Sequence, residues 1–362
     1  MKIVPYTENL EPAVGRLNRR LEAGGQGNYC FPESATPGNQ ELLKRRYFVA
    51  VDEEDEVRGG YIIRDQPFYH GETRVDLSFL KLPVSEGTID RSYATVGPQI
   101  LLDAAKKRPA IFALGMGGAK ETLPRILKTM GWEVRDVPFF FKILNMRRVL
   151  MNLSPFQSTP IRRILARLAA YSGAASLAFR ILQPRVDVPS DYEVVPESEF
   201  GPWADEIWET CRSEYGLHSE RSETTLKEIF RPFSEKIQLL RITRNSKTIA
   251  WFSYLRTEME GDQNFGNLTV ATLVDGFSPL KTLGPAFRAA QAHIEMLAPD
   301  LVITNQLHPE WQKAAASARF RKAPSNFAVA FSPKASEIIG SVNSFWSTAH
   351  INRGDGDGPI HL

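Results

Sequence analysis

Four side chains carry groups suited to proton transfer at places where a fold could aim them: Glu86, Tyr93, Asp275 and His308. Glu86 closes a long run of alternating apolar residues, and Tyr93 stands just ahead of Thr95-Val96-Gly97-Pro98. Asp275 follows Leu273-Val274 and precedes Thr282-Leu283-Gly284-Pro285, while His308 lies beyond the next apolar run, beside Asn305 and Gln306. A carboxylate or an imidazole so placed can take a proton, and a tyrosine can give one. His308 is matched to neutral pH by its ordinary pKa of about 6.5. Plainer roles exist for each: a solvated loop carboxylate for Glu86, and a polar helix flank for His308-Pro309. His70, beside Tyr69 and Gly71, reads as a hairpin-turn residue, and Asp76 is a further carboxylate on the same stretch.

The elements that must position these groups are written twice. Thr282 follows Thr95 by 187 residues, and each Gly-Pro opens a helical pattern after an apolar strand-like run. Pro suits the first turn of a helix, and the N–H groups left free there can hold a phosphate. In the first half the spacing predicts a strand at 3–5, a helix over 10–22, a short helix over 40–46 and a hairpin of 47–51 with 57–64. A long strand over 75–82, the Gly-Pro helix, a buried strand over 109–114, a helix over 120–130 and a Phe-rich strand over 137–144 follow. The second half repeats the order. A strand over 192–195, helices over 203–215 and 224–230, and a hairpin of 237–242 with 248–256 come first. A strand over 268–274, the second Gly-Pro helix, a strand over 301–304, a helix over 311–318 and a strand over 327–331 complete it. Phe48 aligns with Leu239 at an offset of 191 and Ile111 with Leu301 at 190. A near-constant offset over many elements marks a duplicated domain.

The totals narrow the class. The 362 residues suffice for two ordinary domains, and 43% hydrophobic with 24% charged residues is a globular composition. A formal net charge of +2 gives no general affinity for nucleic acid, and two cysteines make neither a disulfide framework nor a zinc cluster. No metal-ligand spacing, nucleophile elbow or P-loop is present. The start of the chain lacks a signal-peptide apolar region and no stretch is apolar enough to span a bilayer, so a cytoplasmic location is expected.

This order of elements, with its phosphate-type helix start, resembles the GNAT (GCN5-related N-acetyltransferase) fold, over residues 1–145 and 187–335. The resemblance implies an α/β (mixed α+β) protein of two tandem GNAT-like domains, each a mixed sheet flanked by helices. The implied boundaries are 1–145, a basic helical linker over 146–186, 187–340, and a Gly/Asp-rich tail over 341–362. In the family the loop after the long strand reads Arg/Gln-x-x-Gly-x-Gly/Ala, and its amides hold the pyrophosphate of acyl-coenzyme A. The matching positions are Arg91, Thr95, Val96 and Gly97 in the first copy and Lys281, Thr282, Leu283 and Gly284 in the second. Each copy lacks one glycine of the pattern and carries a proline, so one degenerate copy is expected. The cofactor implied is acetyl-CoA or another acyl-CoA, and the activity is N-acetylation of an amino group on a small molecule or surface-polysaccharide precursor. Glu86, Asp275 and His308 are then candidate bases and Tyr93 a candidate acid. Two other readings are a peptidoglycan-bridge type transferase fed by aminoacyl-tRNA, and a non-catalytic scaffold.

Residues 137–186 contain eight Lys and Arg and no Asp or Glu, which leaves the rest of the chain at −6. Ile161, Ile164, Leu165, Leu168 and Ser172 share one helical face and Arg162, Arg163 and Arg167 another; Leu177, Phe179, Ile181 and Leu182 come later. Such a stretch suits burial between the two repeats, peripheral contact with an anionic membrane, or a polyanion. It lacks the interleaved aromatic residues of a base-reading surface, so no sequence-specific nucleic acid is expected. The tail, Arg353-Gly354-Asp355-Gly356-Asp357-Gly358-Pro359, is turn chemistry suited to an end that returns across a domain.

Overall fold

Two long hairpins, whose strands are buried at successive positions through their middles, set the architecture. The computed structural model describes residues 1–34, 43–171, 187–262, 264–340 and 346–356. In chain order the elements are β1 (Lys2–Pro5), α1 (Glu11–Ala23), β2 (Arg45–Val51), β3 (Val57–His70), β4 (Thr73–Ser85), α2 (Val96–Lys107), β5 (Ile111–Leu114), α3 (Thr122–Thr129), β6 (Glu133–Asp136) and β7 (Phe139–Ile143). Then come α4 (Met146–Asn152), α5 (Pro160–Tyr171), β8 (Tyr192–Glu197), α6 (Trp203–Cys211), β9 (Leu217–Ser219), α7 (Glu223–Phe230), β10 (Gln238–Arg244), β11 (Lys247–Glu258) and β12 (Thr269–Phe277). The last are α8 (Leu280–Met296), β13 (Leu301–Asn305), α9 (Pro309–Ser317), β14 (Arg321–Ala323), β15 (Ala328–Phe331), α10 (Pro333–Ile339) and β16 (Ala349–His350).

The chain forms two compact units, residues 1–136 with 327–345 and residues 137–326 with 346–362. The first carries the strand path β1-β2-β3-β4-β5-β15-β6 and the second β8-β10-β11-β12-β13-β7-β14. The two paths are equivalent in order. In each, the long strand (β4 or β12) runs antiparallel to its hairpin mate and parallel to the strand that follows its helix. In the first unit Val14, Leu17 and Leu21 of α1 pack on one face of the sheet with Val49, Val57 and Ile62. On the other face Val96, Ile100, Leu101 and Ala104 of α2 meet Tyr61, Ile63 and Leu80. Those intervals of three and four residues are why both segments are helices: each buries one stripe against a flat apolar surface.

The sequence boundaries are corrected at both ends of the units. β7 does not close the first sheet; it lies between β13 and β14, antiparallel to both. β15 does not close the second; it lies between β5 and β6. Each last strand therefore belongs to the other unit, and 145 and 340 are not the divisions. The predicted helix over 40–46 falls partly outside the described residues, and Arg45 and Arg46 are in β2.

The linker reading is corrected too. α5 turns Ala166 and Ala170 inward onto Leu150, with Met146 and Phe156 alongside. Ile161, Ile164, Leu165 and Leu168 face solvent, so this apolar stripe is not a buried one. Ser172, Leu177, Phe179, Ile181 and Leu182 lie outside the described residues. Among the described residues no helix is long and apolar enough to cross a membrane, and no cluster of three or more His, Cys, Asp or Glu is placed to hold a metal ion.

Candidate active site

In the first unit β4 leaves β5 almost at once. Their ladder holds only Ser78 with Ile111 and Phe79 with Phe112. Beyond it β4 carries a bulge: Gly60 pairs with Val84 and Ile62 with Lys81, so Leu82 and Pro83 together oppose Tyr61. Leu82 sits at φ 46°, a turn of the backbone away from the ladder. Pro83 has no N–H, so Leu82 holds the only main-chain donor of the bulge pair. Past the last ladder pair Leu80 and Met116 pack in the core on the α2 side, Leu82 packs in the core on the α1 side, and Leu114 is buried in β5.

Two residues, Ala94 and Thr95, separate the turn Arg91–Tyr93 from the helix that faces this end of the sheet. Asp90 accepts hydrogen bonds from the Ser92 N–H at 2.9 Å and from the Ser92 hydroxyl at 2.7 Å, which fixes the loop at Arg91. α2 then begins at Val96, with no side-chain cap from Thr95. Val96 is fully buried and anchors the turn, while Arg91, Thr95 and Pro98 are exposed and Gly97 is half-buried. Val96 and Gly97 are at the first two helical positions, where main-chain N–H groups have no intrahelical acceptor. A Cβ on Gly97 would meet only the Ser85 side chain, at 3.7 Å, so glycine is not required there by packing.

Glu86 is buried and held by two guanidinium groups. Arg20 donates from Nε to Oε1 at 2.7 Å and from Nη2 to Oε2 at 3.0 Å, and Arg58 Nη1 lies 3.3 Å from Oε2. Its oxygens are committed to ion pairs, which is a structural role rather than that of a base facing an amine. Arg58 also lies over the Tyr93 ring, 4.3 Å from its centroid, and leaves Tyr93 half-buried at the loop. Asp76, by contrast, is an exposed partner of Arg74 at 3.1 Å.

In the second unit the same two places are filled by the chain itself. β12 pairs with β13 from Val270–Leu301 to Leu273–Thr304 and then departs, with a bulge at Val274. Residues 349–356 occupy the opening. Asn352 bridges Gln306, and the Leu307 N–H donates to the Ile351 carbonyl at 3.1 Å. On the other side Asn352 Nδ2 donates to Asp275 Oδ1 at 2.6 Å, and His350 Nε2 donates to the Gly276 carbonyl at 2.9 Å. Arg353 Nε reaches Asn305 Oδ1 at 2.9 Å. The helix start is occupied too: the Leu280 N–H donates to the Glu214 carboxylate at 2.7 Å.

That helix start also corrects the sequence reading. α8 begins at Leu280 behind Pro279, so Thr282, Leu283 and Gly284 lie inside it and Pro285 is an interior proline. Only Lys281 is exposed at its beginning.

Asp275 is not poised for proton transfer with substrate. Arg221 Nη2 lies 3.1 Å from Asp275 Oδ1 and 2.9 Å from Asp355 Oδ1, and the Ser219 hydroxyl donates to Asp355. Arg221, Asp275 and Asp355 are 1%, 2% and 0% exposed, so one buried cation serves two buried carboxylates. Burial, and more weakly the neighbouring Asp355, push Asp275 up to about 6 against the pull of Arg221. His308 caps α9: its Nδ1 accepts the Glu310 N–H at 3.1 Å, and burial moves its pKa down to about 4. The ring of Tyr215 stands between His308 and His350, at 5.2 and 5.0 Å. Arg221, Ser219 and Asn352 are the members of this cluster that sequence reading missed. The turn residues of the tail were its visible signal.

No protein-family model matches the chain, and no curated protein matches it in sequence. Solved structures do. N-myristoyltransferase of Saccharomyces cerevisiae with bound myristoyl-CoA and inhibitors superposes with a TM-score of 0.51 at 8% identity, covering 91% of this chain and 79% of that one. A second structure of that enzyme with bound myristoyl-CoA gives 0.51 at 9%, covering 91% and 77%. A conserved protein from Enterococcus faecalis V583, described as a probable N-acyltransferase, gives 0.51 at 10%, covering 91% and 72%. At these identities the likeness is one of fold, and the fold is GNAT-like: a mixed α/β chain with two mixed sheets flanked by helices.

Proposed function

We propose that the chain is an acyl-CoA-dependent N-acyltransferase that binds its coenzyme in the first unit alone. The observation that carries this is the difference between two like sheets. The first has a parted β4–β5 pair beside a helix start with no side-chain cap. The second has its own tail in the gap and its own Glu214 at the helix.

In this reading the Val96 and Gly97 N–H groups and the Arg91 guanidinium bind the pyrophosphate. The pantetheine lies along the parted strands, with the acyl chain on the side of Leu80, Leu114 and Met116. The Leu82 N–H faces the thioester oxygen, where negative charge develops as the amine attacks. A C–N bond forms, the C–S bond breaks, the amine proton leaves to solvent, and Tyr93 gives a proton to the departing thiolate. Glu86 fixes Arg20 and Arg58 and thereby holds Tyr93. The acceptor is an amino group on a small molecule or surface-polysaccharide precursor. Apolar lining and the myristoyl-CoA held by the yeast neighbour make a longer acyl chain as suitable as acetyl.

Calorimetric titration with acetyl-CoA and myristoyl-CoA, with desulfo-CoA as control, tests this. One equivalent is expected. Gly97→Glu should remove it without loss of stability, because a carboxylate in the first turn favours the helix yet repels a phosphate. Coenzyme binding unaffected by Gly97→Glu, or none at millimolar coenzyme, refutes the assignment.

A further inference from the structure

Among the described residues the outward face of α5 is covered by no other element, and it has a composition of its own. Ile161 is 72% exposed, Ile164 59%, Leu165 61%, Leu168 63% and Tyr171 65%. These five fall within about a third of a turn of one another on a helix of 3.6 residues per turn, so they form one stripe. The inward positions are the small ones, Ala166 and Ala170. This inverts the usual amphipathic pattern, in which the large apolar residues face the core. Exposed Arg162 and Arg167 flank the stripe on opposite sides, and the Arg147 guanidinium lies 5.0 Å from the Tyr171 ring centroid.

We propose that this face of α5 seats the protein on an anionic lipid bilayer. The occupant is argued from charge. No Asp or Glu occurs from 137 to 186, so no carboxylate of this stretch opposes a negative surface. Lys142 and Arg148 are engaged by Glu295 and Asp300, at 2.7 and 3.2 Å, whereas Arg147, Arg162 and Arg167 point to solvent. Arginines beside an apolar stripe can bury their stems among lipid chains and keep their charge at the headgroups. Tyr171, apolar with a polar tip, suits the same depth. A helix lying flat needs both parts, apolar burial and attraction to anionic lipid.

The test is sedimentation of the full chain with vesicles of phosphatidylcholine alone or with 30% phosphatidylserine, at low and high salt. Binding to the anionic vesicles, weakened by salt and by removing the phosphatidylserine, is expected. Arg162→Gln with Arg167→Gln should weaken it about 25-fold, as each basic residue near such a surface contributes about fivefold. Leu165→Asp with Leu168→Asp should weaken it on the order of 100-fold. Both pairs are exposed, so circular dichroism and melting temperature should not change. No binding to anionic vesicles overturns the proposal, as does binding indifferent to the leucine pair. Retention of wild type and the leucine pair, but not of the arginine pair, on single-stranded RNA would assign the arginines to a polyanion instead. Dissociation of a wild-type dimer by the leucine pair would make the stripe a self-interface. Each of these also overturns it.

Discussion

Replacing Asp275 by Asn should change the pH dependence of stability in a direction fixed by the tail cluster. In the fold its carboxyl titrates near 6, and free in the unfolded chain near 3.8. Between those values the unfolded state has already lost the proton that the folded state keeps. The folded state therefore binds more protons, and stability falls as pH rises through this window. The contribution is fully present below 3.8 and lost above 6. About two pKa units at 1.36 kcal/mol each give a change of about 3 kcal/mol. Asn preserves the shape and cannot ionise, so it lacks this term. Wild type should lose about 3 kcal/mol relative to Asp275→Asn between about pH 3 and about pH 8, or roughly 6–12 °C in melting temperature for a unit of this size. The assay is urea unfolding of both proteins at half-unit steps of pH. A difference that is flat, or that grows in favour of wild type as pH rises, would mean that Arg221 outweighs burial, and the reasoning would fail.

Other substitutions separate structural from chemical roles. A Cβ on Gly354 would lie 2.5 Å from Asp275 Oδ2 and 2.6 Å from its Cβ, so Gly354→Ala should destabilise by about 1–3 kcal/mol and raise hydrogen exchange over 349–356. Gly284 is helical with only Arg288 Nη1 near its absent Cβ, at 3.8 Å, so Gly284→Ala should stabilise by about 0.5–1 kcal/mol and leave coenzyme titration unchanged. Glu86→Gln removes a carboxylate shared by Arg20 and Arg58, which keep Glu56 and Asp52, and should destabilise by about 1–3 kcal/mol. If Glu86 is structural, kcat per folded molecule should stay within tenfold, whereas a general base would lose about 100-fold or more.

Strand order could be read from the sequence because alternation and turn residues are local. The sheet a strand joins could not. Phe139 to Ile143 reads as a strand, but its pattern of faces fits a place beside β5 or β13 equally well. The second helix start was misplaced for a related reason. Pro279 and Pro285 are both valid first-turn signals, and the chain uses the earlier one. The tail's turn residues were legible, but their partners were not. Arg221 is 134 residues from Asp355, and a buried ion pair leaves no periodic trace. Glu86 looked like a loop carboxylate because nothing near it in sequence announces Arg20, 66 residues earlier.

The two sheets pose one physical problem and answer it differently. Parting two parallel strands exposes main-chain donors and apolar edges that must be covered by ligand, water or chain. The second unit covers them permanently: a tail anchored by a buried ion pair fills the gap, and Glu214 occupies the helix start with a carboxylate where a phosphate would go. That closure explains why Asp275 and His308 are buried parts of the scaffold. Among the described residues of the first unit, the corresponding edge and helix start are bounded by Leu82, Gly97 and Arg91 rather than by an inserted segment. On the proposed reading a duplicated fold yields one chemical site, because among the described residues a segment fills the gap in the second unit alone.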